Sequence, residues 1–537
     1  MLIDISVMRG EIPRIKDHLL PEEAAAHAFD CEFTHGVLQA MRGNAATETL
    51  PVSPRYLFGY GDSWLAWSQA APIHAMHSPQ AQDPYQRVYF TGQGKPKVTA
   101  QDMAIGSNGI GPQAAYDLGV PKPSTIPVVL SVDASTGEPP PDGEAASFDD
   151  ETRFYIQTYV TRFGEEGMPS DPSAELLVRK PGSTVTVRVT APTTNTHNIT
   201  HIRLYRTSTS NTDLDYLMVA EVPISQTTVV DAARDVNGPS VETWGYELPP
   251  ENMLGLCQMA NGICAGFAGN EVLFSEAYLP YAWPKSHRAT TEHEIVAIAA
   301  IGTSLVVATK GYPYLFSGVT PDGMTGTKIE REQACLSAGS LVVIRGIAFY
   351  ASPDGLVAVS KDGAIPATEA LIDADTWQAR WKPDSIQAIG VEGEYVAQSD
   401  NGGFIYDPVS QSFTRLSDRW DAAYVDLERD TLVLATDTQL RHWRKGSNKR
   451  HFVWRSKRFL VPVDAVFNSA RIQSNTPMQI AVRFLADGEE VMKVDQGELT
   501  HRAFRLPSVR ASSWQIEVSG TGEVHRIMMA TSMQELA

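Results

Sequence analysis

A chain of 537 residues that is 43% hydrophobic and 20% charged can bury large cores and is long enough for roughly three domains. Its formal charge of -19 and pI of about 5.1 argue against a general nucleic-acid-binding surface, which collects phosphates with basic residues, although an acidic wall could let DNA slide past without sticking. The four cysteines, Cys31, Cys257, Cys264 and Cys335, show no CxxC spacing, so neither a disulfide framework nor a zinc site is indicated and synthesis in a reducing cytoplasm fits best.

The opening MLIDISVMRGEIPRIKDHLL lacks the apolar core of a signal peptide, and no run of about 18 apolar residues occurs. The expectation is a protein neither secreted by that route nor inserted in a membrane. Within residues 1–50, Leu20-Pro21-Glu22-Glu23 ahead of Ala24-Ala25-Ala26 reads as the first turn of a short helix. Arg55 to Trp67, and later Arg87-Val88-Tyr89-Phe90-Thr91-Gly92, read as aromatic strands separated by glycine turns. Residues 1–124 are therefore expected to contribute strands to a propeller whose main part lies further along the chain.

A separate block, residues 125–250, is bounded by Pro139-Pro140-Pro141 and Pro249-Pro250. Its strands, Arg153 to Val160, Ser183 to Val189 and His201 to Arg206, with a turn at Gly164-Glu165-Glu166-Gly167, predict an inserted fibronectin-like β-sandwich. From 251 to 451 a loose repeat appears, an apolar strand, a polar turn and an aromatic strand. Its units begin near Ile263, Leu305, Leu341, Tyr395 and Leu432, about 40 residues apart, the spacing of a four-stranded β-propeller blade. Pro353-Asp354-Gly355, Lys361-Asp362-Gly363 and Asp400-Asn401-Gly402 supply the positive φ that tight hairpins need. One helix, from Thr368 through Trp377 and Trp381, stops at Lys382-Pro383. Residues 452–537 predict a C-terminal β-sandwich. The fold class is all-β.

Several ordered stretches carry a family resemblance. They are Gly59-Tyr60-Gly61-Asp62-Ser63-Trp64 with Arg87 to Gly92; Tyr159-Val160-Thr161 with Gly164 to Gly167; and Glu276-Ala277-Tyr278-Leu279-Pro280-Tyr281-Ala282-Trp283-Pro284. Trp377 with Pro383-Asp384-Ser385-Ile386, Gly403-Phe404-Ile405-Tyr406-Asp407 and the closing Ser532-Met533-Gln534-Glu535-Leu536 complete the set. In this order the chain resembles the tail nozzle, or tail tubular protein B-like, structural proteins of short-tailed bacteriophages. The resemblance implies a non-enzymatic virion subunit without cofactors, assembled in the host cytoplasm into a ring, with six as the expected number. It also implies docking below the head-to-tail adaptor, tail fibres or a tail needle as neighbours, and transient non-specific contact with the DNA being ejected.

Gly92-Gln93-Gly94-Lys95 and the loop Gly106 to Gly111 are fragments of a phosphate-binding pattern without the required helix N-terminus. His197 with His201, and His293-Glu294, lack the remainder of a zinc motif. Sugar cleavage on a propeller needs two carboxylates about 5 to 10 Å apart, and Asp354, Asp362, Asp400 and Asp407 are available on turns where aspartate is also ordinary. A carbohydrate-binding or sugar-cleaving propeller at the host-contacting end of the tail, or a fibre-attachment protein, is accordingly the alternative to a nozzle. Trp64 and Trp67, three apart on a strand, face opposite ways and suit packing better than a sugar platform. The candidate site for DNA or a partner is the basic cluster Arg441, Arg444, Lys445, Lys449, Arg450, Arg455, Lys457 and Arg458, which contains no acidic residue.

Overall fold

A computed structural model describes residues 1–137, 151–180, 182–208 and 215–536, so the turn read at Pro139-Pro140-Pro141 lies outside the described residues. The chain is all-β and divides into two compact units: residues 1–70, 292–316 and 327–537 form one, residues 71–291 and 317–326 the other. Among the described residues no helix is long and apolar enough to cross a membrane.

The first unit holds antiparallel sheets laid out as successive propeller blades. Val342–Ile344, Ile347–Ser352, Gly355–Ser360 and Gly363–Pro366 pair in chain order, as do Gln387–Val391, Glu394–Ser399, Gly402–Asp407 and Ser412–Leu416. A third sheet, Ala422–Asp426, Thr431–Thr436 and Gln439–His442, takes its outer strand from far upstream: Ala45–Thr49 pairs with it through Arg441↔Ala46 and His442↔Ala45. The opening strands of these sheets touch one another in sequence, Ile295–Ile301 against Val342–Ile344, then Gln387–Val391, then Ala422–Asp426, then Tyr56–Tyr60. That arrangement is the signature of blades around an axis. Because each blade is covered on both faces, its inner strands are apolar runs without alternation: Ser304–Thr309 is buried at every position, and Glu394–Ser399 at all but its first. Gly355, Gly363 and Gly402 adopt the positive φ that the three tight turns require.

The helix is shorter than the sequence implied. It runs Ala374–Trp381, capped by Asp373, whose side chain accepts from the Thr376 amide at 2.9 Å, and it ends at Lys382 in the left-handed region before Pro383. Thr368 lies upstream of it, buried, its hydroxyl accepting from the Leu356 amide in a blade. Trp377 and Trp381 are buried against Phe404.

The C-terminal sandwich draws on both ends of the chain. One sheet is ordered Leu2–Ile5, Arg526–Ala530, Ser469–Gln473, Phe504–Arg505; the other contains Phe452–Ser456, Ala511–Gly520, Ile480–Ala486 and Glu489–Val494. They enclose a core that includes Ile3, Ile5, Trp454, Phe484, Trp514 and Met529. The expected helix at Ala24 to Ala26 is absent: Ala25–Phe29 is a strand, antiparallel to Phe452–Ser456 and parallel to Ser412–Leu416 through Phe29↔Arg415. One sheet thus runs continuously from the Gln387–Leu416 blade into the sandwich. A helix-favouring Pro-Glu-Glu-Ala start loses here to two flanking strand partners.

The second unit contains two blade sheets and the inserted sandwich. One blade comprises His74–His77, Val88–Thr91, Lys97–Thr99 and Tyr116–Asp117; the other comprises Leu254–Gln258, Cys264–Ala268, Glu271–Phe274 and Arg288–Thr290. Between them in sequence lies a two-sheet fibronectin-like sandwich, Val128–Asp133, Thr184–Arg188, Thr228–Asp231 facing Tyr155–Thr161, Ile199–Thr207, Tyr216–Pro223. Blades and sandwich share one core, with Tyr89 and Leu256 of the former packed among Tyr159, Val187 and Ile202 of the latter.

Ion pairs lock this core. Arg87 is 4% exposed and donates to Asp83 at 2.8 Å and to Glu165 at 2.6 Å, with its guanidinium against Phe163. One cation cannot fully serve two carboxylates. Asp83 is held below the ordinary range, because the hydrogen bonds and charge of Arg87 overcome its desolvation, whereas burial, only partly offset by Arg87, pushes Glu165 up to about 7. A carboxyl raised in the fold contributes stability that is full below its unfolded value near 4.5 and lost as pH rises toward 7. Buried His74, lowered to about 4, works in the opposite direction over an overlapping range. The contribution of Glu165 therefore appears as the difference between wild type and Glu165→Gln: in urea unfolding from pH 4.5 to 7.5, the variant gains stability relative to wild type as pH rises. Arg87→Ala, which strands both carboxylates, loses about 3 to 5 kcal/mol near neutral pH.

Candidate functional site

The basic segment is not a single charged face. Arg441 lies on the strand Gln439–His442 and is half-buried. Arg444, with φ of 53°, stacks 4.0 Å over the Trp443 ring and reaches Glu394 at 3.1 Å and Glu392 at 3.4 Å. Arg450 bonds Asp418 at 2.6 Å and Asn44 at 2.9 Å, with Asp30 at 3.7 Å. Arg455 grips Glu517 through Nε at 2.8 Å and a terminal nitrogen at 2.5 Å, and Arg483 holds the other oxygen of that carboxylate at 2.9 Å. Desolvation alone would raise Glu517, but the two arginines hold it below its ordinary value. Lys445, Lys449 and Arg458 are exposed, and Lys457 is half-buried with its ammonium 5.8 Å from the Phe459 ring centre.

The strand Phe452–Ser456 alternates: Phe452, Trp454 and Ser456 are buried while Val453 and Arg455 are only partly so. What composition could not reveal is where the acids are. Every carboxylate partner of Arg444, Arg450 and Arg455 comes from outside the segment, and the structure brings them together only by folding distant strands against it.

Three of the four turn aspartates have identified partners. Asp407 accepts from the Val409 amide at 2.8 Å, Asp354 from Gln333 at 2.8 Å, and Asp400 pairs with Lys382. Asp354 and Asp362 flank one strand, Gly355–Ser360, and Asp400 and Asp407 bracket another, Gly402–Asp407. The six-residue strand between the members of each pair spans about 17 Å, so neither same-strand pair has the spacing of a glycosidase pair, about 5 to 10 Å. His197 binds the Gly119 carbonyl at 2.9 Å, His201 contacts Thr200 at 3.0 Å, and His293 rests against Tyr312. Among the described residues no group of three or more His, Cys, Asp or Glu could hold a metal ion, and none of the four cysteines forms a disulfide. Trp67 is buried, whereas Trp64, pointing the other way, donates to Glu48 at 2.5 Å and meets Tyr424 edge-on.

A cluster that sequence reading missed surrounds Glu11. This carboxylate is 2% exposed; it accepts from the Ala28 amide at 2.8 Å, lies 3.1 Å from Arg415 and 3.4 Å from His27, and pairs with Arg380 on its other oxygen. Burial would raise it, yet His27, the two guanidinium charges and the Ala28 amide together hold it below its ordinary value. Two cavities meet at Arg380. One, of about 580 Å³, is lined by Glu11, Asp17 and Asp375 among others; the second, of about 440 Å³, is lined by His27, Phe29, Arg380, Trp381, Asn401 to Gly403, Arg415 and Leu416. A lone glutamate between Gly10 and Ile12 carries no sequence signal of this, because its partners lie 16 to about 400 residues away.

No protein-family model matches the sequence, and no curated protein matches it. Among solved structures, similarity extends to PorZ, an essential bacterial surface component of the type-IX secretion system of Porphyromonas gingivalis, at 11% identity and TM-score 0.27 over 83% of this chain and 62% of that one. The AfRom2 CNH domain matches at 8% identity and TM-score 0.25 over 59% of this chain and 90% of its own. An exo-β-1,3-galactanase from Phanerochaete chrysosporium, solved with galactose, matches at 8% identity and TM-score 0.18 over 91% and 100%. At these scores the likenesses carry no argument about activity.

The segment's cations separate by role under substitution. Arg450→Ala leaves buried Asp30 and largely buried Asp418 uncompensated and costs about 2 to 4 kcal/mol. Lys449→Ala, at an exposed position, changes stability by less than about 0.5 kcal/mol. Denaturant unfolding of both variants measures the contrast.

Proposed function

We propose that this chain is a structural component of a short-tailed phage tail, a nozzle subunit forming part of the DNA-ejection channel below the head-to-tail adaptor. The observation that carries the reading, beyond the sequence resemblance, is the disposition of charge. In a chain of net charge -19, the arginines of its one basic segment that lie deepest, Arg444 and Arg450, are consumed by carboxylates of the same unit. Within that segment Lys445, Lys449 and Arg458 remain exposed. A wall of this kind repels phosphate over about one Debye length, roughly 8 Å at physiological salt, and so lets a polyanion pass without adhering. Catalysis has no part in this function; stiffness does, and blades covered on both faces supply it.

Two measurements test the proposal. In electron microscopy of purified virions, density fitting this chain should occupy a ring beneath the adaptor; its absence from the tail conduit overturns the reading. The purified chain should show no retention of duplex DNA at about 150 mM salt in filter binding. Tight, salt-sensitive binding would contradict the electrostatic part.

A further inference from the structure

We propose that the cavity of about 440 Å³ beside Trp381 is a binding site for a small molecule with a flat apolar body and one oxyanion, carboxylate or phosphate. The site lies wholly within the first unit and is independent of the nozzle reading. Its volume is in the range of ligand pockets, about 300 to 1,000 Å³.

The charge of the lining is one-sided. Arg380, Arg415 and His27 contribute to it and no carboxylate does, in contrast to the neighbouring cavity, which Asp17, Asp375 and Glu11 line together with Arg380. Glu11 lies buried behind Arg380 and Arg415 and balances one of the two guanidinium charges, which leaves one unmatched. Asp400, the nearest acid in sequence to the Asn401 to Gly403 edge, is paired with Lys382.

One donor has unmet hydrogen-bonding capacity. The indole N–H of Trp381, a residue lining the cavity, is buried and has no acceptor. Buried donors without partners are costly and uncommon, and an acceptor on a bound molecule would relieve this one. The helix C-terminus nearby does not repel an anion strongly, because the Ala379 carbonyl is capped by Asn401 at 3.1 Å and that of Gln378 by the Lys382 amide at 3.2 Å. Phe29, Leu416 and Trp381 supply the apolar lining that a flat body would cover, and Gly402 and Gly403 present no side chain beyond it.

Isothermal titration of the full chain with phenyl phosphate, benzoate and inorganic phosphate tests this. Phenyl phosphate or benzoate should bind with a Kd of about 0.1 to 1 mM, and inorganic phosphate at least tenfold more weakly. Arg415→Gln should weaken binding about tenfold or more, and Trp381→Phe, which keeps an aromatic ring and removes the N–H, by about two- to tenfold. One indole N–H signal in the proton–nitrogen spectrum should shift on addition of ligand and be missing in Trp381→Phe, a readout that does not depend on the stability of either variant. Absence of binding by both aromatic anions at millimolar concentration overturns the proposal. So does a wild-type affinity retained in Arg415→Gln. Inorganic phosphate binding as tightly as phenyl phosphate would refute the flat-body requirement.

Discussion

Glu11 is the point on which the first unit turns. A carboxylate that is 2% exposed is tolerable only with all its partners in place, and here they come from three separate parts of the chain: the Ala28 amide and His27 from a strand of the sandwich sheet, Arg380 from the helix, and Arg415 from the last strand of a blade. Backbone bridges reinforce the same spot, since Glu11 pairs with Phe413 on one side and Ala25 on the other. Displacing any one element would leave a buried charge exposed to low dielectric, a loss of several kcal/mol. The carboxylate therefore fixes how the continuous sheet passes from blade to sandwich. The second unit uses the same device: Arg87, at the start of a blade strand, is held by Glu165 from the turn that follows the sandwich strand Tyr155–Thr161.

The chain ends answer a different constraint. An antiparallel sheet leaves unpaired backbone groups at its edges, and those edges invite other chains. Here Ala45–Thr49 covers the outer edge of the sheet that ends at His442, and Leu2–Ile5 pairs with Arg526–Ala530, so that N-terminal segments complete two sheets whose other strands lie hundreds of residues downstream. Arg526 bonds Asp4 at 2.7 and 2.5 Å, which ties these two segments side by side at the sandwich. These long-range pairings close structures that local hairpins begin.

This division explains what could be read from the sequence. Blade strands were legible because a hairpin is a local object: an apolar run, a turn with glycine at positive φ, and a second run, as at Asp354-Gly355 and Asn401-Gly402. The destination of residues 1 to 50 was not, because a strand with no hairpin partner of its own announces nothing about where it pairs. Pro21-Glu22-Glu23-Ala24 has good local helix chemistry, yet the segment after it is drawn into a sheet by Phe452–Ser456 on one side and Ser412–Leu416 on the other. Thr368 was misplaced into the helix for a related reason. Its hydroxyl serves a blade amide, and the true cap, Asp373, lies five residues further on. Gly164-Glu165-Glu166-Gly167 shows the limit most sharply: two adjacent glutamates in a turn look solvent-facing, but Glu165 is held by Arg87 and Glu166 by Thr158, Arg203 and Tyr205.

Charge follows the same division between neighbours in sequence and neighbours in space. A run of eight cations without an acid reads as a surface waiting for a polyanion, because sequence displays neighbours along the chain and electrostatics acts through space. Once Asp30, Glu392, Glu394, Asp418 and Glu517 are brought alongside, the long, planar arginines of the run are mostly internal ties, while the lysines are left largely outside. That sorting follows from chemistry: guanidinium is weakly hydrated and bonds two oxygens at once, so it survives burial, whereas a compact ammonium holds its water and stays at the surface. The excess positive charge near Glu11 arises in the reverse way, from Arg380 and Arg415, each isolated in sequence and neither part of any basic run. In this protein, then, concentrated charge along the chain marks cohesion, and the local imbalance that a ligand could feel is assembled from residues that look unremarkable one at a time.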